Sequence, residues 1–279
     1  MSKTWDAIII GGGAAGLFCA GVAGQLGKRV LILDHASILG EKIRISGGGR
    51  CNFTNLHCGP SNFLSLNPHF VKSALARYPA AEFIKLIQSY RIAYHEKHQG
   101  QLFCDDSAKQ VIEMLMSECA RGNVTIRHPV VIESITQEGN QWLINTNAGI
   151  EKAQSVVMAT GGLPVPAIGA TAYSLDIAKQ FGLNVIEPRP ALVPLSFTAE
   201  TFSGLSELAG LSVPIGIHSG SKGARYGACH FNEDVLITHK GLSGPAILQA
   251  SSYWVEGEPI LIDWLANLDQ SGAVLCDEL

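Results

Sequence analysis

The first 34 residues admit few folds. An apolar run, Ala7-Ile8-Ile9-Ile10, leads into Gly11-Gly12-Gly13-Ala14-Ala15-Gly16; small residues follow to Gly27, and a second apolar run, Val30-Leu31-Ile32-Leu33, ends at Asp34. Short apolar runs bounded by turn signals read as buried strands, and a glycine-rich turn between strand and helix is the G-x-G-x-x-G fingerprint of a dinucleotide site. Gly11 permits the tight turn, Gly13 lets backbone approach a pyrophosphate, and Gly16 allows the helix to pack closely on the sheet. The pyrophosphate would rest on the helix N-terminus. Asp34, 18 residues after Gly16, is spaced to accept hydrogen bonds from an adenosine ribose.

The same segment has a competing reading. From Ala7 to Gly27 no side chain is charged over 21 residues, and Lys3 precedes them, the pattern of a membrane span or signal peptide. Seven of those 21 residues are glycine, which suits a strand and turn better than a continuous helix. The chain is expected to be cytoplasmic, with no membrane partner. At 279 residues, 47% hydrophobic and 16% charged, it can bury one large core or two ordinary ones. Its seven cysteines form no C-x-x-C pair, so neither a disulfide framework nor a zinc site is indicated, and reduced thiols are expected. Residues 251–279 carry six acids and no base, which alone turns a weakly positive body into a net charge of −4. No cluster of lysine or arginine marks a nucleic-acid groove.

A second glycine-rich stretch, Ser46 to Asn55, reads SGGGRCNFTN. Three consecutive glycines put amides where any Cβ would obstruct a ligand, and the flanking Ser, Arg, Asn and Thr can hydrogen-bond phosphates or a polar ring. Further on, Ser155 to Met158 is a buried strand ending in Ala159-Thr160-Gly161-Gly162. It delivers small residues to the carboxyl edge of a parallel sheet, where nucleotides bind.

Between these motifs strands and helices alternate. Pro79 starts a helix through Phe83 and Ile87; residues 92–103 form a hairpin turning at Gln99-Gly100; Asp105, Asp106 or Ser107 caps a helix with Val111, Ile112, Leu115 and Met116 on one face. Residues 124–135 and 141–146 are β-rich, with a turn at Gly139-Asn140. After Pro188, Pro190 and Pro194, short alternating runs at 192–197, 213–218, 235–239 and 259–264 predict an inserted antiparallel sheet or barrel. His239 opens a loop into a helix, with Ser243 as its cap and Pro245 in its first turn. The fold class is α/β: a Rossmann-like domain over 1–190 and a β domain over 191–279. His95 and His98, with Cys104 nearby, imitate metal ligands, but i and i+3 on a strand face opposite sides, so no metal site is expected.

The sequence resembles the HI0933-like (YhiN-type) flavoproteins, also called BaiN-like or aminoacetone oxidase-like. The resemblance rests on IIIGGGAAGLFCA (8–20), EKIRISGGGRCNFTN (41–55), GQLFCDDSA (100–108), VVMATGG (156–162) and THKGLSGPAILQASSYW (238–254). It implies tightly bound FAD, a domain of the two-dinucleotide-binding type, and an inserted antiparallel β-barrel that is incomplete here, since relatives continue beyond residue 279 through a segment that completes the flavin site. By position it implies Gly11, Gly12, Gly13, Ala14, Ala15 and Gly16 at the pyrophosphate and Asp34 at the ribose. Lys42, Ser46, Gly47, Gly48, Gly49, Arg50, Cys51 and Asn52 would surround pyrophosphate and flavin, with Ile132, Ala159, Thr160, Gly161 and Gly162 beside the cofactor. Two departures stand out: Asp34 replaces a more usual glutamate, and Glu41 removes a positive charge near the loop.

A flavin passes hydride through N5 while a nearby group manages the proton. Cys51, beside Arg50, whose charge is expected to lower the thiol pKa, and His239, which opens a loop expected to face the ring, are the candidates. The expected activity is that of an FAD-dependent reductase; NAD(P)H is a candidate electron donor, although only one nucleotide fingerprint is visible. Three readings of its role stand: reduction of uridine in 23S ribosomal RNA to dihydrouridine; a small-molecule oxidase or reductase of the aminoacetone or bile-acid type; and a noncatalytic flavin-binding remnant. The sequence sets no oligomeric state.

Overall fold

The computed structural model describes residues 4–198, 202, 204–220 and 226–266; Lys3, Cys276 and the acids at 269, 277 and 278 lie outside the described residues. The chain divides into two compact units, residues 1–59 with 74–186 and residues 60–73 with 187–279.

The first unit is built on β1 (Trp5–Ile10), β2 (Val30–Leu33), β6 (Thr125–Arg127), β7 (Ile132–Glu138), β8 (Gln141–Thr146) and β9 (Gly149–Met158). They form one sheet in the order β6-β2-β1-β9-β8-β7. β6, β2, β1 and β9 run parallel, and β9, β8 and β7 form an antiparallel meander. The apolar runs at β1 and β2 are near-continuous because both faces are covered. Ile9 and Ile32 enter a cluster with Leu17, Ile87, Met114 and Leu115, while Ile8, Ile10, Leu31 and Leu33 enter another with Ile135 and Ile144. The meander turns where expected, with Glu138 paired to Gln141 across Gly139-Asn140.

On one face α1 (Ala14–Gln25) lies against α5 (Lys109–Arg121). The small residues of α1 explain how closely: a Cβ at Gly24 would stand 2.5 Å from the Gly122 carbonyl oxygen, and one at Gly21 3.2 Å from Glu118 Cβ. The uncharged stretch that imitates a membrane span is therefore a strand, a turn and an intimately packed helix. No helix among the described residues is long and apolar enough to cross a membrane. α6 (Tyr173–Gln180) covers the other face, where Phe181 meets Trp142 edge-on at 4.9 Å.

A small sheet, β3-β5-β4, comprises Asn52–Asn55, Gln101–Cys104 and Tyr94–Glu96. Between β3 and β4 lie α2's successors, α3 (Lys72–Arg77) and α4 (Ala80–Ser89), α2 itself being Glu41–Ile45. Pro79 is the N-cap of α4. Of the three expected caps of α5, Ser107 accepts from Lys109 N–H through its Oγ at 3.2 Å, while Ala108 stands immediately before the helix and makes no side-chain cap of its own. The Ala108 N–H donates to Gly49 O at 2.7 Å, so the glycine loop sets where this helix begins. His95 is occupied by Asp105, 2.7 Å from its Nδ1, and stacks on Phe103.

The second unit is an antiparallel half-barrel sheet, β10-β13-β12-β11-β14, comprising Leu195–Ser196, Gly241–Ser243, Cys229–Thr238, Ser212–Ser219 and Leu261–Asp263. Its inward residues Ile215, Ile217, Val235 and Ile237 pack under α7 (Pro245–Ser251). The strand expected over 192–197 is only two residues long, consistent with Pro194 lacking a ladder donor. Ser243 ends β13 rather than capping α7; the cap is Gly244, at φ 88. A Cβ there would lie 2.7 Å from Leu236 N, so only glycine fits the corner.

The six described cysteines are free. Cys104 and Cys119 are fully enclosed, and burial pushes both thiols from 9.0 to about 11. Between those values the unfolded chain ionises its thiols while the folded chain holds them neutral, so stability is full below pH 9 and declines as pH rises toward 11. Urea midpoints measured across this window are expected to fall, and to fall less in Cys104→Ala and Cys119→Ala; a flat wild-type profile would contradict it.

Candidate functional site

The carboxyl ends of β1, β2 and β9 converge at the first glycine turn. Gly11 N–H donates to Leu33 O, Ala159 N–H donates to Ile10 O, and a Cβ on Gly11 would stand 2.5 Å from Ala159 O. A Cβ on Gly16 would stand 1.8 Å from Gly11 O, so α1 rests directly on the turn. Gly13, the N-cap of α1, is different: nothing lies within 4 Å of its Cβ position. It provides no side-chain cap, and the first turn of α1 holds no acid, leaving first-turn amides as donors for an anion.

Asp34 is part of the same turn. One carboxylate oxygen accepts from Gly12 N–H, the other from Ala36 N–H at 2.7 Å, and the side chain is 11% exposed. The aspartate thus braces the glycine turn, with lone pairs remaining for a further donor. Val130 N–H donates to Asp34 O at 2.8 Å. Ile132 is half-buried and packs against the core beside Val130, and Val131 between them is 56% exposed.

The second glycine motif winds back on itself. Gly47, Gly48 and Gly49 take φ 58, 66 and 87, and Cys51 takes φ 52. For a residue with a Cβ this left-handed conformation costs roughly 1–3 kcal/mol. The loop is held by GQLFCDDSA: Cys104 N–H donates to Arg50 O at 2.9 Å, and a Cβ on Gly47 would strike the Phe103 ring at 2.7 Å. Two motifs separate in sequence are one folded object.

Cys51 is buried, and burial pushes its thiol up while a Ser46 hydrogen bond pulls it down. Arg50 contributes nothing to this shift, so the expected activation by Arg50 is corrected: the group is a protonated thiol at neutral pH. Glu41 is engaged by Arg44 Nε at 2.8 Å, and this hydrogen bond holds its carboxyl below the usual range. Lys42 Nζ reaches Gly162 O at 3.3 Å, joining α2 to the loop after β9. Thr160 Oγ1, in that loop, is buried without a hydrogen-bond partner among the described residues.

Ala14, Ala15, Lys42, Ser46, Cys51 and Asn52 line one cavity of about 550 Å³. Open space over Gly13, uncapped amides and the partnerless Thr160 hydroxyl fit the phosphate-rich part of a dinucleotide. Phe18, Phe53, Tyr78, Phe83 and Leu115 supply an apolar wall that sequence reading missed, because Phe83 and Leu115 carry the same helical periodicity as core residues. His239 does not line this cavity; it sits exposed in the turn between β12 and β13.

A family model described as the HI0933-like protein Rossmann domain matches residues 5–276. The chain is 48% identical over 267 residues to a ribosomal RNA dihydrouridine synthase of Escherichia coli K12, covering 96% of this chain and 65% of the relative. It is 46% identical to the ribosomal RNA dihydrouridine synthase of Haemophilus influenzae, over 96% of this chain and 66% of the relative. A 3-dehydro-bile acid delta(4,6)-reductase of Clostridium scindens is 26% identical over 94% of this chain and 65% of the relative. The chain therefore spans just under two thirds of the length of these relatives. With a glycine turn, a braced glycine loop and a match along nearly its whole length, the chain belongs to the HI0933-like family.

Proposed function

We propose that the chain is the FAD-binding part of a cytoplasmic oxidoreductase that reduces a uridine of large-subunit ribosomal RNA to dihydrouridine, with NAD(P)H as electron donor. The observation that carries this reading is a single cavity bounded by the start of α1 and by a protonated Cys51. The relatives' names supply ribosomal RNA as the substrate class and dihydrouridine as the product, and the choice of the large subunit follows the family resemblance.

In this reading the first-turn amides of α1, with Lys42 and Thr160, hold the diphosphate; Asp34 orders the turn and accepts from the ribose. Ser46 to Asn52 and Ala159 to Gly162 line the rest of the cofactor. FAD, when bound and reduced, supplies the hydride that C6 of the base requires. Cys51 holds the proton that C5 takes, and its burial keeps that proton in place at neutral pH. The aromatic wall excludes water from the reacting base.

A second reading is favoured by the apolar character of that wall and by the bile-acid reductase relative: a reductase of an enone in a small hydrophobic molecule. Nucleoside analysis separates the two. Loss of the gene is expected to remove one dihydrouridine from large-subunit ribosomal RNA, and its return to restore it; unchanged nucleoside content would sink the ribosomal reading.

A further inference from the structure

The longest run of the sequence without a carboxylate is 42–81, which holds Lys42, Arg44, Arg50, Lys72 and Arg77. Within it the chain leaves the first unit after Gly59 and rejoins it at Ala74. The excursion is shaped by its own turns: Phe63 N–H donates to Pro60 O at 3.3 Å, His69 N–H to Asn67 Oδ1 at 3.0 Å, Phe70 N–H to Asn67 O at 3.1 Å, and Lys72 N–H to His69 O at 3.2 Å. Such local bonds give the backbone of the excursion a defined path without a core of its own.

What it holds out is unusual. Phe70 is 74% exposed, Leu66 58% and Phe63 43%, where large aromatic side chains are ordinarily buried. Lys72 forms no ion pair among the described residues. Apolar rings beside an uncompensated cation, in a stretch free of carboxylates, complement a polyanion that also offers flat π-faces. The residues flanking the excursion, Cys58 and Leu75, line the same cavity as Cys51 and Asn52, so the chain that builds the excursion begins and ends at the candidate reaction site.

We propose that residues 60–73 form a docking strap for single-stranded RNA, with unpaired bases stacking on Phe63 and Phe70 and Lys72 neutralising a phosphate. Bases to be modified must leave the helical stack, and a platform that stacks neighbouring bases holds the strand open. The inference rests on the ribosomal RNA reading above.

The test is fluorescence anisotropy of labelled oligouridine with the FAD-loaded enzyme over a range of salt. Phe63→Ala/Phe70→Ala is expected to weaken binding about 10- to 100-fold, and Lys72→Ala to reduce the salt slope by about 0.7. Flavin reduction by NAD(P)H, read in parallel, should be unchanged in both variants. Wild-type affinity in the variants would overturn the strap while leaving the ribosomal reading intact. A wild-type enzyme whose flavin is reduced but which binds no oligouridine would overturn the strap as well, and ribosomal dihydrouridine content would then decide the reading beneath it. Full RNA affinity with altered self-association in the aromatic variant would show that polypeptide covers these rings, again overturning the proposal.

Discussion

Gly16→Ala is expected to abolish dinucleotide retention and to destabilise the first unit by about 3 kcal/mol or more. The added Cβ would stand 1.8 Å from Gly11 O, a backbone atom that is itself fixed against Ala159. Neither side can yield without separating α1 from the sheet. Gly13→Ala provides the contrast: nothing lies within 4 Å of its Cβ and its φ is −85, so the fold should lose about 1 kcal/mol or less at this N-cap. Its methyl group would nevertheless occupy the space the phosphates need. Urea unfolding and FAD titration of the two variants separate the roles, one lost through the fold and the other through the ligand. Equal stability loss in both would contradict the geometry.

The second large effect belongs to Cys51. Cys51→Ala is expected to retain FAD and to lose about 10²- to 10⁴-fold in turnover, the usual worth of a positioned acid. Both side chains have a Cβ, so the cost of φ 52 is shared and stability should change little. Because burial raises the thiol, activity should be flat through neutral pH and fall only on the alkaline side, above the ordinary cysteine range. The sign follows from the role: the donor must be protonated, so the active form is the one below its pKa. A thiolate nucleophile would give the opposite limb. Full turnover in Cys51→Ala would eliminate the residue as donor.

Much of this architecture is legible in the sequence because it follows from local periodicity. Ile8 to Ile10 and Val30 to Leu33 are apolar on both faces, which a doubly covered parallel strand requires, and the meander turn at Gly139-Asn140 needs only its two residues to be recognised. What was not legible depends on contacts between distant segments. The start of α5 is held by Ser107, which a capping rule finds, and also by Gly49 O taking the Ala108 N–H, a bond between residues 59 positions apart that no capping rule contains. The role of Asp34 splits for the same reason, since its carboxylate reaches back 22 residues to Gly12.

The site shows the same division. The glycines and the Ala159-Thr160-Gly161-Gly162 loop declare themselves by residue type. Phe18, Phe83 and Leu115 pack on the core and line a cavity at once, a double role that side-chain period does not encode. The direction of the Cys51 shift was misread from its neighbour in sequence: Arg50 is adjacent along the chain, yet desolvation by burial dominates at the sulfur.

The measurement that addresses the central claim most directly is anaerobic reoxidation of the reduced, FAD-loaded enzyme, followed by the flavin absorbance. Addition of a large-subunit ribosomal RNA transcript carrying uridine should return the oxidised spectrum, with dihydrouridine appearing in the transcript in equal amount, while a 3-keto steroid enone leaves the flavin reduced. Reoxidation by the steroid and none by the RNA would contradict the account.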